Sequence, residues 1–374
     1  MVHVFYISLI LAEIVDKDFD KVGVLICGIL GLVYLIIDGR RIVYFPELWY
    51  LIFTIYLAFA AVYYVNAWNA LMYSLYFLLQ YGVLNYFVVK NNNNNLYLIR
   101  SVVIFLYWQT AVAAIAVIDF TLYQYGVISV IRDYLVSWKS DSFYSNPNPL
   151  GIISAIVLVI MLGGYSRRVK HKKTIFVINA LAVAVSGSSM AIGLVFVYAV
   201  YLVLLNARAL ILLSFVILLP VLLIVLVITL DLSVTYDVEN LFNKRLEIWG
   251  HGLRMWESSP FVGIGTGNFQ ILSLTQDGST VFAGKYGMHS LYMWLIVETG
   301  VIGSILFFMF VFSFMITRNN RNVKQFVLPV FVILMISQIS EFYLDHEEIY
   351  ILVFWMVVAT GLSRGHVKKS AIML

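Results

Sequence analysis

The chain has 374 residues, of which 62% are hydrophobic and 12% charged, and its formal net charge is +4. Soluble domains are roughly half apolar and about a quarter charged, so the composition excludes an ordinary soluble protein. The sequence has a single cysteine, Cys27, within an apolar run, so an intrachain disulfide is impossible and redox chemistry is not expected.

Apolar runs near 20 residues recur along the whole chain and predict membrane spans. Because a bilayer offers the backbone no hydrogen-bond partners, and the alternating pattern of a barrel is missing, these runs are predicted to be helices. The expected fold class is therefore all-α: a polytopic integral membrane protein with a single membrane domain over residues 1–374. About twelve spans are predicted, at 2–15, 22–37, 43–65, 67–89, 96–118, 148–165, 174–186, 189–206, 208–230, 289–316, 323–340 and 346–363.

The stretch from residue 174 to residue 205 is too long for one span, and the polar Ser186-Gly187-Ser188-Ser189 interrupts it. A break there leaves most Lys and Arg residues in cytoplasmic loops, whereas an unbroken helix would distribute them almost evenly. We therefore predict a break, with both termini cytoplasmic and large outer loops at 119–147 and 231–288. Since topology explains the basic residues, nucleic acid is not expected as a partner.

The second outer loop begins with an amphipathic segment, 241–257, that is predicted to lie as a helix at the membrane interface. It carries Arg245 and Arg254, which are nine residues apart and face different ways on an unbroken helix. The following GIGTGN stretch includes Gly265 and Asn268. Its backbone amides could cradle an anion, or the stretch could be a tight loop that returns to the membrane.

His289 is placed at the outer mouth of the tenth predicted span. An imidazole there could meet both water and buried substrate, or a neighbouring carbonyl could satisfy it. Glu298 lies nine residues later, so it is expected roughly 13 Å deeper and on the opposite helix face. An ionisable group in a span is costly and is a candidate for pairing or function. Gly300 and Gly303 would share a face with His289 and admit a neighbouring helix.

Two acidic segments are also considered as candidate functional sites. DKDFD, at Asp16–Asp20, has the D-x-D pattern of metal-dependent glycosyltransferases, but it fails as a calcium loop because Lys21 and Cys27 stand where Gly and Glu are needed. A solvated outer loop is the preferred interpretation. EFYLDHEE, at Glu341–Glu348, favours a structural or substrate-positioning role over metal binding. No metal site is predicted.

The runs RLEIWGHGLRMW, PFVGIGTGNF and HSLY with ETGVIG, which together span 245–303, closely resemble the signature region of bacterial O-antigen polymerases and O-antigen ligases. FYSNPNPLG, at 143–151, is similar to the start of the family's sixth span. The sequence departs from the family at Ser186–Ser189, where an arginine is often found. Another basic residue usually precedes the F-x-N-P-N stretch, and here only Lys139 or Arg132 could represent it.

This resemblance implies a GT-C-like, metal-independent glycosyltransferase of the bacterial inner membrane that uses no cofactor. Its implied partners are undecaprenyl-diphosphate-linked glycans, as donor and acceptor, and membrane lipids, with a chain-length regulator and a flippase as further candidates. Arg245 is expected to stabilise the departing diphosphate, and His289 to accept the proton of the acceptor hydroxyl. The candidate substrate-binding residues are Arg254, Lys139, Arg132, Gly265, Asn268 and Glu298.

Among the functions within this resemblance, an O-antigen polymerase is favoured. The first alternative is an O-antigen ligase that transfers polysaccharide to lipid A core, and the missing arginine at Ser186–Ser189 argues against it. The second alternative is a lipid-linked glycan flippase, which is not an enzyme. Transporters usually carry several charges near the membrane midplane, whereas Glu298 is almost alone in the predicted spans.

Overall fold

The computed structural model describes residues 1–14, 21–38, 45–61, 64, 66–93, 96–124, 144, 147–163, 169–204, 245–276, 287–316, 321–339 and 341–362. Regular structure in these residues is helical throughout, with no β-strand among them, so the predicted all-α class is confirmed for the described part. The helices are α1 (Val2–Ile14), α2 (Val22–Asp38), α3 (Phe45–Ala60), α4 (Ala67–Asn93), α5 (Tyr97–Gln124), α6 (Pro147–Leu162), α7 (Lys172–Ser186), α8 (Ser189–Leu204), α9 (Arg245–Trp256), α10 (Phe269–Gln276), α11 (Leu291–Ile316), α12 (Arg321–Ser337), α13 (Tyr343–His346) and α14 (Glu348–Leu362).

Each predicted span within the described residues corresponds to one of these helices; the ninth, 208–230, lies outside them. Three helices are long and apolar enough to cross a membrane, at Ala67–Asn91, Tyr97–Thr121 and Leu291–Ile316, and seven shorter helices are apolar as well. Large apolar side chains cover the outside of the bundle, including Ile36 at 80% and Phe59 at 72% exposure. Such a surface suits lipid rather than water. The number of spans and their orientation stay predictions.

The predicted break between the seventh and eighth spans is present. α7 ends at Ser186, and Gly187 closes it in the left-handed region at φ 58°, with its N–H donating to the carbonyl of Ala184. α8 then starts at Ser189, and the hydroxyl of Ser188 accepts from the N–H of Ala191. Serine and glycine at this point therefore terminate one helix and start another, as their capping preferences lead one to expect.

Helix α14 lies in the centre of the bundle and is buried on all sides. It packs against α1, α4 and α12, and a helix that is apolar around its circumference belongs in such a core. The ring of Trp355 packs edge-on against Tyr50 at 4.7 Å, while its Nε1–H donates to Gln80. This packing fixes the position of the chain that leads into α14, residues 341–347, at one end of the bundle.

Helix α11 is interrupted at Gly300, whose φ of 66° and ψ of −172° are not helical. The chain around Pro260 enters this kink: the N–H groups of Val301 and Ile302 donate to the carbonyls of Pro260 and Phe261. A Cβ at Gly300 would lie 2.4 Å from the carbonyl oxygen of Phe261, so glycine is needed for the approach. The expectation of one continuous helix from His289 was wrong, because loop carbonyls replace the helix's own acceptors here.

Helix ends that the predicted topology puts on one side of the membrane contact each other. At the predicted outer end, the hydroxyl of Tyr64 donates to the carbonyl of Val262 at 2.7 Å. At the predicted inner end, the ammonium of Lys90 donates to the hydroxyl of Tyr34 at 2.8 Å. One residue from each end of the bundle can therefore test on which side of the membrane α9 lies.

We predict that a cysteine at Glu257 reacts with a membrane-impermeant maleimide in intact spheroplasts, and that one at Lys172 reacts only after lysis. Both positions are exposed, and Cys27→Ala would remove the buried native thiol. The positive-inside distribution supplies the physical reason. Labelling in the reverse pattern would contradict the predicted orientation.

Candidate active site

One buried carboxylate, Glu341, brings distant parts of the chain together just after α12. Its Oε1 accepts a hydrogen bond from Nη2 of Arg245 at 2.7 Å, and its Oε2 lies 2.8 Å from Nδ1 of His289. The side-chain amide of Asn148, from the FYSNPNPLG stretch, donates to Oε1 at 3.5 Å. The carboxylate is only 5% exposed, against 15% for Arg245 and 31% for His289. We call Arg245, His289 and Glu341 the outer cluster.

Arg245 is positioned by the packing of α9 against α11. The buried face of α9 consists of Ile248, His251, Gly252 and Met255. Trp249, one turn after Arg245, donates its Nε1–H to the carbonyl of Met288 at 2.9 Å. Residues four apart share one side of a helix, so the bond that anchors Trp249 beside His289 also directs Arg245 toward the same carboxylate. The Arg-x-x-x-Trp spacing thus has a geometric explanation.

His289 precedes α11 rather than belonging to it, which corrects the expectation that it opens the helix. Its backbone lies in the left-handed region at φ 48°, where a residue other than glycine is strained, and such strain is concentrated at functional sites. Ser290 begins the helix, and the N–H of Leu291 donates to the carbonyl of Gln338, three residues before Glu341. Because His289 is not part of the helix, helical periodicity cannot be used to infer on which face Glu298 lies relative to His289.

Because an ionised carboxylate only accepts hydrogen bonds, its contact with His289 makes Nδ1 the nitrogen that carries the proton. The neutral ring then has its lone pair on Nε2. The charged guanidinium at 2.7 Å favours the ionised form of Glu341. The cluster therefore joins a fixed cation, an anion and a histidine in a defined tautomer, which is an arrangement suited to acid–base chemistry on an anionic substrate.

The GIGTGN loop cradles an anion, and that anion is the side chain of Glu298. The carboxylate accepts from the backbone N–H of Gly267 and from that of Phe269, and it is buried. Gly265 donates its N–H to the carbonyl of Glu298, and the amide of Asn268 donates to the carbonyl of Ile264. These residues therefore hold the loop against the kink of α11. Their predicted contact with substrate stays a prediction.

Of the remaining sequence-based candidates, the structure describes only Arg254. Arg254 is on the exposed side of α9, facing away from Arg245 as its spacing predicts. Lys139, Arg132 and the DKDFD stretch at Asp16–Asp20 lie outside the described residues. Within the described chain, His, Cys, Asp and Glu residues form no group of three or more that could hold a metal ion.

Glu341 is the residue that the sequence-based site prediction missed. The EFYLDHEE segment was identified as acidic and as a candidate for positioning substrate, but no pattern in the sequence connects it to Arg245 or His289, which are 96 and 52 residues away. One signal was present: the predicted topology puts the loop between the last two spans on the same side as Arg245 and His289. An acid at that point is a plausible partner for both.

Tyr343 follows the cluster in the short helix α13. Burial, with smaller contributions from the carboxylates of Glu341 and Glu347, raises the pKa of the Tyr343 phenol well above its ordinary value. Its ring stacks on that of Tyr350 at 5.0 Å. Tyr343 therefore stays neutral and adds no negative charge beside Glu341.

A cavity of about 210 Å³ lies next to the outer cluster, on the side of His289. Three aromatic side chains form part of its wall: Tyr73 of α4, Trp294 of α11 and Phe342. Gln270 of α10 and Glu298 contribute polar groups. The cavity thus combines apolar surface with a few polar groups, as ligand pockets commonly do.

A helical bundle with long apolar helices and a buried polar cluster at one end is the architecture of an integral membrane protein with a site at one membrane face. The family model described as O-antigen ligase matches residues 174–308, a range that includes Arg245 and His289. The match covers 135 of the 374 residues, so this part of the chain is similar to the O-antigen polymerase and ligase superfamily, whose members are glycosyltransferase-like enzymes. No curated protein matches the chain.

We predict that Glu298→Gln destabilises the protein. A glutamine presents an N–H₂ group where the carboxylate now accepts from two backbone N–H groups, so one buried donor would lose its acceptor at a cost of about 1–3 kcal/mol. Thermal unfolding of the purified protein should show a lower midpoint. Glu257→Gln, at an exposed position, is the matched control, and equal midpoints for both variants would contradict the anchoring role.

Proposed function

We propose that this protein is an O-antigen polymerase, a glycosyltransferase that joins undecaprenyl-diphosphate-linked oligosaccharide repeat units at the periplasmic face of the bacterial inner membrane. The observation that carries the proposal is the outer cluster, in which Arg245 and His289 are bound to one carboxylate. The match of the surrounding residues to the O-antigen ligase family supports it. Its pathway is then the biosynthesis of lipopolysaccharide O antigen.

Arg245 would stabilise the departing lipid diphosphate. Negative charge accumulates on that group as the anomeric bond breaks, and a fixed guanidinium stabilises the transition state more than the ground state. The contact with Glu341 uses one nitrogen of the guanidinium, and arginine has five N–H donors in a rigid fork, so phosphate oxygens can be bound as well. Glu341 orients the fork in advance, which reduces the ordering cost of binding.

His289 would act as the general base. The acceptor hydroxyl oxygen forms a bond to the anomeric carbon of the donor glycan, its proton passes to Nε2 of His289, and the bond from the anomeric carbon to the diphosphate oxygen breaks with its electron pair leaving on the diphosphate. Glu341 accepts from Nδ1–H and stabilises the imidazolium that forms, the role a carboxylate has in a serine protease triad. The proposed reaction uses no metal ion and no cofactor.

The same chemistry would serve an O-antigen ligase, for which the acceptor is lipid A core. The family description itself names a ligase. The polymerase is preferred because the arginine that the family often has is missing at Ser186–Ser189, where the serines cap the α7–α8 junction instead. A lipid-linked glycan flippase is the non-enzymatic alternative. A chain-length regulator and a flippase are proposed as partners.

The first test is the transfer rate of purified variants on synthetic lipid-linked repeat units. Loss of one preorganised donor to a developing anion costs about 3 kcal/mol, or roughly a hundredfold in rate, so Arg245→Ala should nearly abolish polymerisation. Arg245→Lys keeps the charge but loses the fork and should stay severely impaired. Arg254→Ala is the control, since it lies on the exposed side of α9. Arg245→Ala at more than about a third of the wild-type rate would remove it from the mechanism.

A second set of variants tests Glu341 as a positioning residue. Glu341→Gln cannot accept from both Arg245 and His289, because one end of its amide is a donor, and misplacement of reacting groups costs about a hundredfold in rate. Glu341→Asp keeps the charge and should recover part of the rate. Addition of imidazole should not rescue either variant, since the ring of His289 is still present. A wild-type rate in Glu341→Gln would refute the positioning role.

The lipopolysaccharide profile of a deletion strain distinguishes the candidate functions. Loss of a polymerase leaves lipid A core capped with a single repeat unit, because unpolymerised units are still ligated. Loss of a ligase removes all O antigen from lipid A core. Transport of lipid-linked repeats in purified vesicles, without any glycan elongation, would instead support the flippase.

A further inference from the structure

The cavity beside His289 is separate from the groups that would bind the diphosphate. Its lining includes His289 on one side and Tyr73, Trp294 and Phe342 on the others, whereas Arg245 is not part of it. Of the lining residues that the structure describes, none is Lys or Arg, and Glu298 supplies a negative charge. Such a wall repels a phosphate or a carboxylate. The cavity therefore suits an uncharged part of the substrate.

The aromatic wall is a continuous group of packed rings. Trp294 packs against Phe342 with centroids 4.6 Å apart and stacks on Phe77 at 5.4 Å and on Tyr73 at 6.5 Å. Because these rings support one another, their positions are fixed before a ligand binds. The negative face of an aromatic ring attracts weakly positive C–H groups, and the flat face of a pyranose presents a set of such groups.

Polar groups at the cavity fit sugar hydroxyls. The amide of Gln270 can both donate and accept hydrogen bonds, and Gln270 is exposed, so its side chain can adjust to a ligand. The indole N–H of Trp294 is buried, and no hydrogen-bond acceptor for it lies among the described residues. A volume of about 210 Å³ is smaller than the roughly 300–1,000 Å³ typical of pockets for drug-sized ligands. The cavity therefore suits a single sugar ring.

From these observations we infer that the cavity is the acceptor subsite, which binds the terminal, uncharged sugar ring of the acceptor glycan and directs its hydroxyl toward His289. The inference rests on the proposed function. His289 belongs both to the cavity and to the outer cluster, so a hydroxyl at this boundary faces the base on one side and the donor's anomeric carbon on the other. Tyr73 and Gln270 would then determine which acceptor sugar is used.

The test is binding of a soluble acceptor fragment to the full-length protein in lipid nanodiscs. The probe is the oligosaccharide repeat unit released by mild acid from the lipid-linked precursor of the same strain, and saturation-transfer-difference NMR reports which ring contacts the protein. We expect the strongest signal from the non-reducing terminal ring. Inorganic pyrophosphate should not displace the fragment, because none of the described lining residues is Lys or Arg. Displacement by pyrophosphate would overturn the assignment.

Variants separate stacking from general structural effects. Tyr73→Leu removes an aromatic face and Gln270→Ala removes the amide, and each should weaken fragment binding roughly fivefold. Tyr73→Phe keeps the ring and should bind nearly as the wild type does. Phe261→Leu is the matched control, because Phe261 is an aromatic residue that is 66% exposed and outside the cavity. Unchanged binding in both Tyr73→Leu and Gln270→Ala would overturn the subsite.

The subsite and the proposed function can fail independently. If the wild-type protein elongates lipid-linked repeats while the two cavity variants bind the fragment normally, the function stands and the subsite is wrong. If the fragment binds and the cavity variants lose it, but the wild type transfers no glycan, the cavity is a glycan-binding site and the proposed enzyme function, with the acceptor role, is wrong. Arg245→Ala should retain fragment binding, since Arg245 does not line the cavity.

Discussion

The carboxylate of Glu341 is the constraint on which the rest of the site depends. A buried charge is costly unless it is paired and hydrogen-bonded, and this one is paired with Arg245, His289 and Asn148. Glu341 and these three partners come from four separate parts of the chain. The need to satisfy one anion therefore brings α9, the start of α11, the start of α6 and the chain after α12 to the same point.

A second buried carboxylate, Glu298, holds a different part of the structure together in a similar way. It is bound by the backbone N–H groups of Gly267 and Phe269, and Pro260 and Phe261, just before the glycine-rich loop, supply carbonyls to the kink at Gly300. Glycine is required where these backbones meet: a Cβ at Gly263 would lie 2.5 Å from the carbonyl carbon of Glu298. The loop thus fixes the shape of α11 close to His289 and to Trp294 in the aromatic wall of the cavity.

The two carboxylates divide the site by charge. Glu341 orients a guanidinium and a histidine on the side where an anionic leaving group would be stabilised, whereas Glu298 leaves a weakly negative, aromatic cavity on the other side. A glycosyl transfer from a lipid diphosphate needs this division, because the leaving group is anionic and the acceptor is a polyhydroxylated, mostly uncharged ring. Electrostatic preorganisation of this kind is commonly the largest contribution to catalysis.

The sequence by itself determined the all-α class, the approximate positions of most described helices and the break at Ser186–Ser189, because the membrane's demand for internally bonded backbone and the capping preferences of Ser and Gly act locally. It also identified Arg245 and His289, through residue types and a family resemblance. Only the tertiary structure decided that Glu341 joins them and that Glu298 is the anion within the glycine loop. Which buried charges pair depends on which helix ends come into contact. Arg245 and Glu341 are 96 residues apart, and no periodicity in the sequence indicates a contact over that distance.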